Sequence, residues 1–386
     1  MPYFDWNATA PLHPLAREAW LEASETAWAN PSTAYRSGVR ARSRLDEARE
    51  EMAQMLGFRP EQVVFTSGAT EANNAVIREI ARVSPEKEIW ISSVEHPSIR
   101  EAALGLAGQS RARRIPVDAN GQVDLDWFED QLQISAPGLV SVMAANNETG
   151  VIQPWPQIRG LCREAGIPFH CDAVQWIGKY AAPMGQGCAA ISLSGHKFGG
   201  PKGIGCLILG EEWTGLKVQT GGAQEMGSRA GTENIPSILG MVAALKARLN
   251  SPLPAEQLNA RDTFEAALEA EWGGEFCIHG KKADRLWNTS FISLPSHRAN
   301  RWIAQLDRFD MEISSGSACS SSKSGPSSIL EVMGVEEEAA ARTVRISSGW
   351  ETSCADWNEL LEAIKQVRLV LDSEPASSGP GTVIEI

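Results

Sequence analysis

The sequence predicts an α/β protein: a large domain on a mostly parallel sheet, then a smaller α+β domain. Three observations point there. Short apolar runs alternate with helical, amphipathic stretches from about residue 40 to 250. A Pro/Ser stretch, SPLPAE at 251–256, then breaks the alternation. Four polar clusters follow apolar runs directly, where ligands gather in open α/β sheets, outside the carboxyl ends of the strands.

SRLDEAREEMAQML is amphipathic at helical spacing, QVVFT is a short β-rich run, and EANNAVIREIAR is helical again. EIWISS, LVSVMAA, IPFHC, AAISLS and GCLILG are apolar runs bounded by turn signals. Runs of this length with helices between them read as buried strands of a parallel sheet. NIPSILGMVAALKARLN is a long helix before the break. Beyond it, FEAALEAEW reads as helix, TSFISLP as strand and WNELLEAIKQVRLVL as a final helix. The division expected is 15–250 for the large domain, 1–14 with 251–372 for the small one, and a flexible tail over 373–386, small and polar in composition.

The chain has 386 residues, 43% hydrophobic and 22% charged, the make-up of a soluble globular protein. A net charge of −13 argues against sequence-independent nucleic-acid binding, which needs a basic surface. No apolar run approaches the roughly 20 residues that cross a bilayer. The start, MPYFDWNATAPLHP, lacks a basic segment leading into an apolar one, so no secretion signal is expected. Seven cysteines without a CxxC pair give no disulfide framework and no zinc ribbon, and a reducing cytoplasm is the expected compartment.

The four polar clusters each carry two readings. QVVFT runs into SGATEANN, a helix start suited to a phosphate or simply a capped N-terminus. EIWISS runs into EHPSI, where His96 precedes a helix-opening proline and is structural or functional. IPFHC runs into DAVQW, where Asp172 caps a helix or holds a proton on a heterocyclic nitrogen. AAISLS runs into GHKFGGPKG, where Lys197 follows a buried strand directly and Lys202 lies in the next loop. A strand-end lysine in a partly dry site loses its proton and attacks carbonyls, so Lys197 is the candidate. Together, a phosphate cradle, a carboxylate and a strand-end lysine supply the three grips that pyridoxal 5'-phosphate needs: ester phosphate, pyridinium nitrogen and aldehyde.

EISSGSACSSSKSGPSS, residues 312–328, stands apart, with Cys319 among Ser, Ala and Gly and no apolar period. It reads as a thiol on a mobile arm, or as a small residue in a loop. Cys162 lies on an expected helix, Cys171, Cys188, Cys206 and Cys277 read as packing cysteines, and Cys354 sits in a turn.

With these stretches in hand, the chain resembles the cysteine desulfurases, in the NifS/IscS-like branch of the class V aminotransferases. The resemblance runs from FDWNATAPLHP to about residue 370 and is carried by SGHKFGGPKGIG and SSGSACSS, with TSGATEANN, EHPSI, NNETGVIQP, HCDAVQ and RAGTEN in the family's order. It implies the type I fold of pyridoxal-phosphate-dependent transferases and a homodimer converting L-cysteine to L-alanine. Lys197 then holds the cofactor and moves protons, and Asp172 pairs with the ring nitrogen. Gln175 and Asn147 lie on the ring-hydroxyl side, Asn147 also beside the substrate. His96 stacks on the ring and shuttles a proton. Thr70, Ser194 and His196 grip the phosphate, as does Thr232 from the neighbouring subunit. Arg345 binds the substrate carboxylate. Cys319 takes the sulfur as a persulfide and passes it to an acceptor protein, an iron–sulfur scaffold among the candidates. The alternative is a related class V transaminase or lyase acting on another amino acid. Three positions depart from the family's pattern: Tyr35 where histidine is usual, Trp350 where arginine is common, and no acidic residue before the proline that follows Cys319.

Overall fold

The computed structural model describes residues 2–107, 111–180, 184–251, 255–315 and 328–373. Cys319 and residues 374–386 of the expected tail lie outside them. The chain opens with helices α1 (Pro14–Thr26) and α2 (Arg36–Leu56). Then come β1 (Val63–Thr66), α3 (Ala69–Val83), β2 (Ile89–Ser92), α4 (Pro97–Ala107), β3 (Ala112–Ile115), α5 (Leu125–Leu132) and β4 (Leu139–Ser141). The alternation continues through α6 (Trp155–Glu164), β5 (Phe169–Asp172), β6 (Ala190–Ser194), β7 (Gly205–Leu209) and α7 (Ile235–Asn250).

The seven strands form one sheet in the order β1-β7-β6-β5-β4-β2-β3. The pairs among β3, β2, β4, β5 and β6 are parallel, and β7 runs antiparallel to both β6 and β1. So β1 points the same way as β6, and the carboxyl ends of six strands share one edge. Both faces are covered, as a parallel sheet requires. Val63 and Phe65 of β1 face one core with Leu45 and Met52 of α2 and Ile238 and Met241 of α7, while Val64 faces the other with Val76 and Ile80 of α3. That split is the period-two pleat made visible.

A second sheet, β10 (Thr343–Ser347), β9 (Thr289–Ser293) and β8 (Cys277–Ile278), is antiparallel throughout. It packs with α8 (Ala255–Trp272), α9 (Ala299–Asp307) and α12 (Cys354–Ser373) around a separate core that includes Trp302, Trp357 and Leu360. Two short helices, α10 (Ser328–Val332) and α11 (Glu337–Ala341), complete the described elements. The N-terminal segment belongs to this second core through Phe4, whose ring meets Trp357 edge-on at 5.0 Å. Its backbone bridges Asp5 to Ser347, in parallel with β10. The chain start therefore crosses from the small sheet to the carboxyl edge of the large one.

Two expectations need correcting. Cys277 does not pack: it lies on the two-residue β8 and is exposed, because so short an edge strand leaves its first side chain outside. Ser373, the first residue of the expected tail, is the last residue of α12.

Candidate functional site

The shared carboxyl edge gathers four segments: Ser67–Thr70 after β1, Glu95–His96 after β2, Asp172–Gln175 from β5, and Ser194–Lys197 after β6. Two glycines allow the close approach. A Cβ on Gly205 would lie 2.6 Å from Gly68 Cα, so only glycine lets β7 run against the loop that opens α3. Gly178, at φ 85°, turns the chain back against Phe198, beside the Lys197 turn.

Lys197 occupies a short 3-10 turn, Gly195–Lys197, and its Nζ donates to the carbonyls of Asn7 at 2.7 Å and Ala8 at 2.8 Å. Lys202 is exposed. Asp172 is buried at the end of β5. Its Oδ2 accepts from Asn73 Nδ2 at 2.8 Å and its Oδ1 from the Val174 amide at 3.0 Å. His170, two residues earlier, lies between the hydroxyls of Ser141 and Ser192, and burial pushes it down to about 4, so it is neutral.

His96 has a structural role at the start of α4. Its Nδ1 accepts from the Ser98 amide at 3.1 Å and lies 2.8 Å from Ser98 Oγ, at the start of α4. Burial lowers its pKa, with Lys197 and Arg100 adding to that and Asp172 opposing it. A neutral ring beside Asp172 and Lys197 is compatible with a second, chemical role.

At the start of α3, Gly68 supplies no side-chain cap, and Ser194 Oγ lies 3.9 Å from where a Gly68 Cβ would be. Thr70 is exposed in the first helical turn. His196, pushed down to about 4 by burial, then Lys197 and Lys202, has its Nδ1 3.2 Å from Thr9 Oγ1. Thr232 is exposed, three residues beyond Arg229, whose Nε meets Glu71 Oε1 at 2.9 Å in the same first turn of α3.

Arg345 of β10 is 1% exposed. Its Nη2 donates to Asp5 Oδ1 at 2.6 Å and its Nη1 to the Asn147 carbonyl at 3.0 Å. Asn147 meets Arg345 through its backbone, and the same carbonyl accepts from Asn7 Nδ2 at 3.2 Å. Gln175 is buried and donates from Nε2 to the Asn7 carbonyl at 3.0 Å. Thus Lys197, Gln175, Arg345 and Asn147 all meet at Asn7 or its neighbours.

Three residues of this site went unread in the sequence. Asn7 is one. Lys179, buried and bonded to Asn7 and Gln175, is another. The third is Glu95, whose carboxyl is pushed up to about 8 by burial and then by the Asp172 charge. Lys179 carried a signal, since it lies four residues after Gln175 in the same stretch. Among the other thiols, burial raises Cys162 to about 12 and Cys188 to about 11, and raises Cys171 and Cys206 as well, so these four are inert.

In chemical terms, the edge offers an uncapped helix start with hydroxyls, a carboxylate held by two donors and an amine on carbonyl oxygens. A phosphorylated pyridine aldehyde presents the matching groups. Asn73 Oδ1, buried beside Asp172 with no partner among the described residues, further marks a site built for a donor not in the chain.

Residues 2–360 match the family model for class-V aminotransferases. The chain is 34% identical to "Cysteine desulfurase IscS" of Dictyoglomus turgidum, across 95% of this chain and 94% of that protein. It is 36% identical to a cysteine desulfurase of Rhodobacter capsulatus, across 97% and 98%. Among solved structures, a NifS-like protein of Rickettsia africae superposes with a TM-score of 0.84 at 29% identity, covering 95% of this chain and 99% of that one. A second, "SspA in complex with cysteine", gives 0.78 at 29%, over 90% and 99%. With the model spanning nearly the whole chain and relatives of this likeness matching end to end, the chain belongs to the class-V aminotransferase family, in its cysteine desulfurase branch.

Proposed function

We propose that this protein converts L-cysteine to L-alanine, with pyridoxal 5'-phosphate as cofactor and Cys319 as sulfur carrier. The observation that carries the reading is the placement of Lys197, Asp172 and the uncapped start of α3 on one sheet edge. Lys197 would hold the cofactor's aldehyde carbon, Asp172 its ring nitrogen, and Thr70, Ser194 and His196 its phosphate. When bound, the cofactor supplies an electron sink for the substrate's α-carbon.

The chain's own residues do the rest. Lys197 Nζ would take the substrate's α-proton, and the Asn7 and Ala8 carbonyls would steady the resulting ammonium. His96, whose pKa burial lowers, would face the cofactor ring and relay a proton. Arg345, pre-set by Asp5 and the Asn147 carbonyl, binds the substrate carboxylate. Gln175 and Asn147 flank the ring hydroxyl. Cys319 thiolate then bonds to the substrate sulfur. The electron pair of the broken carbon–sulfur bond stays with the carbon skeleton, which takes a proton at Cβ, receives the α-proton back from Lys197 and leaves as L-alanine. Ser314 pairs with Arg345 through the backbone, and the five residues from there to Cys319 span at most about 18 Å.

The active unit in this reading is a homodimer, with Thr232 reaching the partner's phosphate site. Of 13 exposed large hydrophobics among the described residues, seven lie between Leu12 and Val39, including Trp28 and Tyr35, and such a concentration supports a covered face. A solution mass twice that of the chain is the check. The sulfur acceptor is a protein, an iron–sulfur scaffold being the candidate class. Among the described residues no helix is long and apolar enough to cross a membrane, and all six described cysteines are unpaired, which supports a reducing, cytoplasmic location.

The deciding experiment is mass spectrometry after L-cysteine. One added sulfur on the peptide holding Cys319 is expected. Cys319→Ser should keep the cofactor's colour and form almost no alanine. Alanine at the wild-type rate from that variant overturns the proposal.

A further inference from the structure

Lys179 is a buried amine that the proposed chemistry leaves unused. It is 7% exposed, and no carboxylate lies within ion-pair distance among the described residues. Burial, then Lys197 and Arg345, push it well below the usual lysine range. A lysine in such a place is costly against an apolar side chain of the same length. Its contacts show what it does there.

Lys179 Nζ donates to Asn7 Oδ1 at 2.7 Å and to Gln175 Oε1. Gln175 Nε2 donates to the Asn7 carbonyl, which also accepts from Lys197 Nζ. The three residues form a closed ring of hydrogen bonds with Lys197 attached at one corner. The ring assigns both amides. Gln175 must turn its oxygen to Lys179 and its NH2 to the Asn7 carbonyl, the acceptor it shares with Lys197. Asn7 must turn its oxygen to Lys179 and Asn288, whose Nδ2 donates at 3.1 Å, and its NH2 to Thr289 Oγ1 at 2.8 Å and the Asn147 carbonyl.

We propose that Lys179 is a positioning residue that holds Gln175 as a hydrogen-bond donor toward the ring oxygen of the cofactor beside Lys197. This rests on the reading above, in which Gln175 flanks that oxygen. A donor there stabilises the ionised oxygen and loosens the proton shared with Lys197 Nζ. Without Lys179, Gln175 Oε1 is a buried acceptor with no donor, and the nearest remedy is to rotate toward Lys197. Gln175 then presents oxygen to oxygen, and the shared proton is held more tightly. The charged groups facing the ring are Lys197 after β6 and Arg345 on β10, with Asp5 one step removed through its pair with Arg345.

The test is a pH titration of the visible absorbance of the holoprotein. In Lys179→Met the midpoint is expected to rise by about one pH unit, a tenfold shift in that protonation equilibrium. Its kcat falls while KM for L-cysteine stays near the wild-type value, because Arg345 is untouched. In a Gln175→Leu background the same substitution should move the midpoint no further, which a merely structural role or a bare charge effect would not reproduce. If Lys179→Met does not fold, Gln175→Glu decides. Its carboxylate still accepts from Lys179 but carries no N–H, so the midpoint must rise. An unmoved midpoint in either single variant, or additive shifts in the double one, overturns the inference while leaving the desulfurase reading intact. A wild-type protein that binds no cofactor overturns both.

Discussion

Ser314 and Arg345 exchange both backbone hydrogen bonds: Arg345 N donates to Ser314 O at 2.6 Å, and Ser314 N to Arg345 O at 3.1 Å. The strand that carries the buried guanidinium thus also anchors the chain just before the Cys319 stretch. Carboxylate binding and sulfur transfer would share one foundation. Arg345→Met should separate them. Loss of a charge-assisted pair costs about 1.5–3 kcal/mol, so KM for L-cysteine should rise by about one to two orders of magnitude. The bound-cofactor absorbance should stay. A KM that does not change would remove Arg345 from substrate recognition.

Lys197 and Lys202 are five residues apart, and only one should carry the cofactor. Lys197 Nζ is held on two carbonyls at the sheet edge, whereas Lys202 is exposed. Borohydride reduction followed by peptide mapping should place the adduct on Lys197. Lys197→Ala should lose it, and Lys202→Ala should retain it. An adduct on Lys202 would assign the cofactor to that amine instead.

How far the chain could be read in advance follows from where the information lies. Asp172 and Lys197 were legible because each ends an apolar run, and strand order does not alter which end faces the ligand. β3 was not read as a strand. Its segment, ARRI, is a polar edge strand whose Arg113 lies over Trp90 and Trp127, so it lacks the apolar run that marks a buried strand. LVSVMAA suggests seven strand residues; β4 is assigned only over Leu139–Ser141, yet Val142 N and Ala144 N still donate to the His170 and Asp172 carbonyls at 3.1 and 2.8 Å, which carries the chain along β5 toward Asn146 and Asn147. Asn7 was invisible for another reason. Its partners Asn147, Gln175, Lys179, Asn288, Thr289 and Ser347 lie 140 or more positions away in the chain. No local pattern announces such a hub.

Glu95 gives a pH prediction with a definite sign. Its carboxyl is raised from 4.5 to about 8, by burial first and the Asp172 charge second. The folded state therefore keeps a proton that the unfolded chain has released. The stabilisation is full below 4.5, erodes as pH rises, and is gone above about 8. Glu95→Gln removes this dependence and keeps an oxygen for the Ser92 hydroxyl and the Met143 amide. Its melting temperature relative to wild type should climb as pH is raised from 5 through 8 and level off beyond. The buried histidines titrate in both proteins and cancel in the difference. Parallel curves for the two proteins would show that Glu95 ionises normally.

The segment leading to Thr232 is fastened by a buried ion pair. Arg49 of α2 grips Glu225 at both oxygens, at 2.7 and 2.8 Å, with side chains 8% and 1% exposed. Glu225 Oε2 also accepts from the Phe65 amide of β1 at 2.9 Å. Glu225 itself sits at φ 48°, a strained setting for a non-glycine residue, so the pair must over-determine it. Glu225→Ala leaves the Arg49 guanidinium buried without a counter-charge, on the Val63 carbonyl alone, which should cost about 3–5 kcal/mol. The double variant Arg49→Met/Glu225→Leu removes both charges and should regain most of that loss. Urea unfolding measures both. Because Arg229 in the same segment reaches Glu71 at the start of α3, Glu225→Ala should also weaken cofactor retention during dialysis. Full stability in Glu225→Ala would mean that other contacts hold this segment, and that the ion pair sets neither its shape nor its grip on the site.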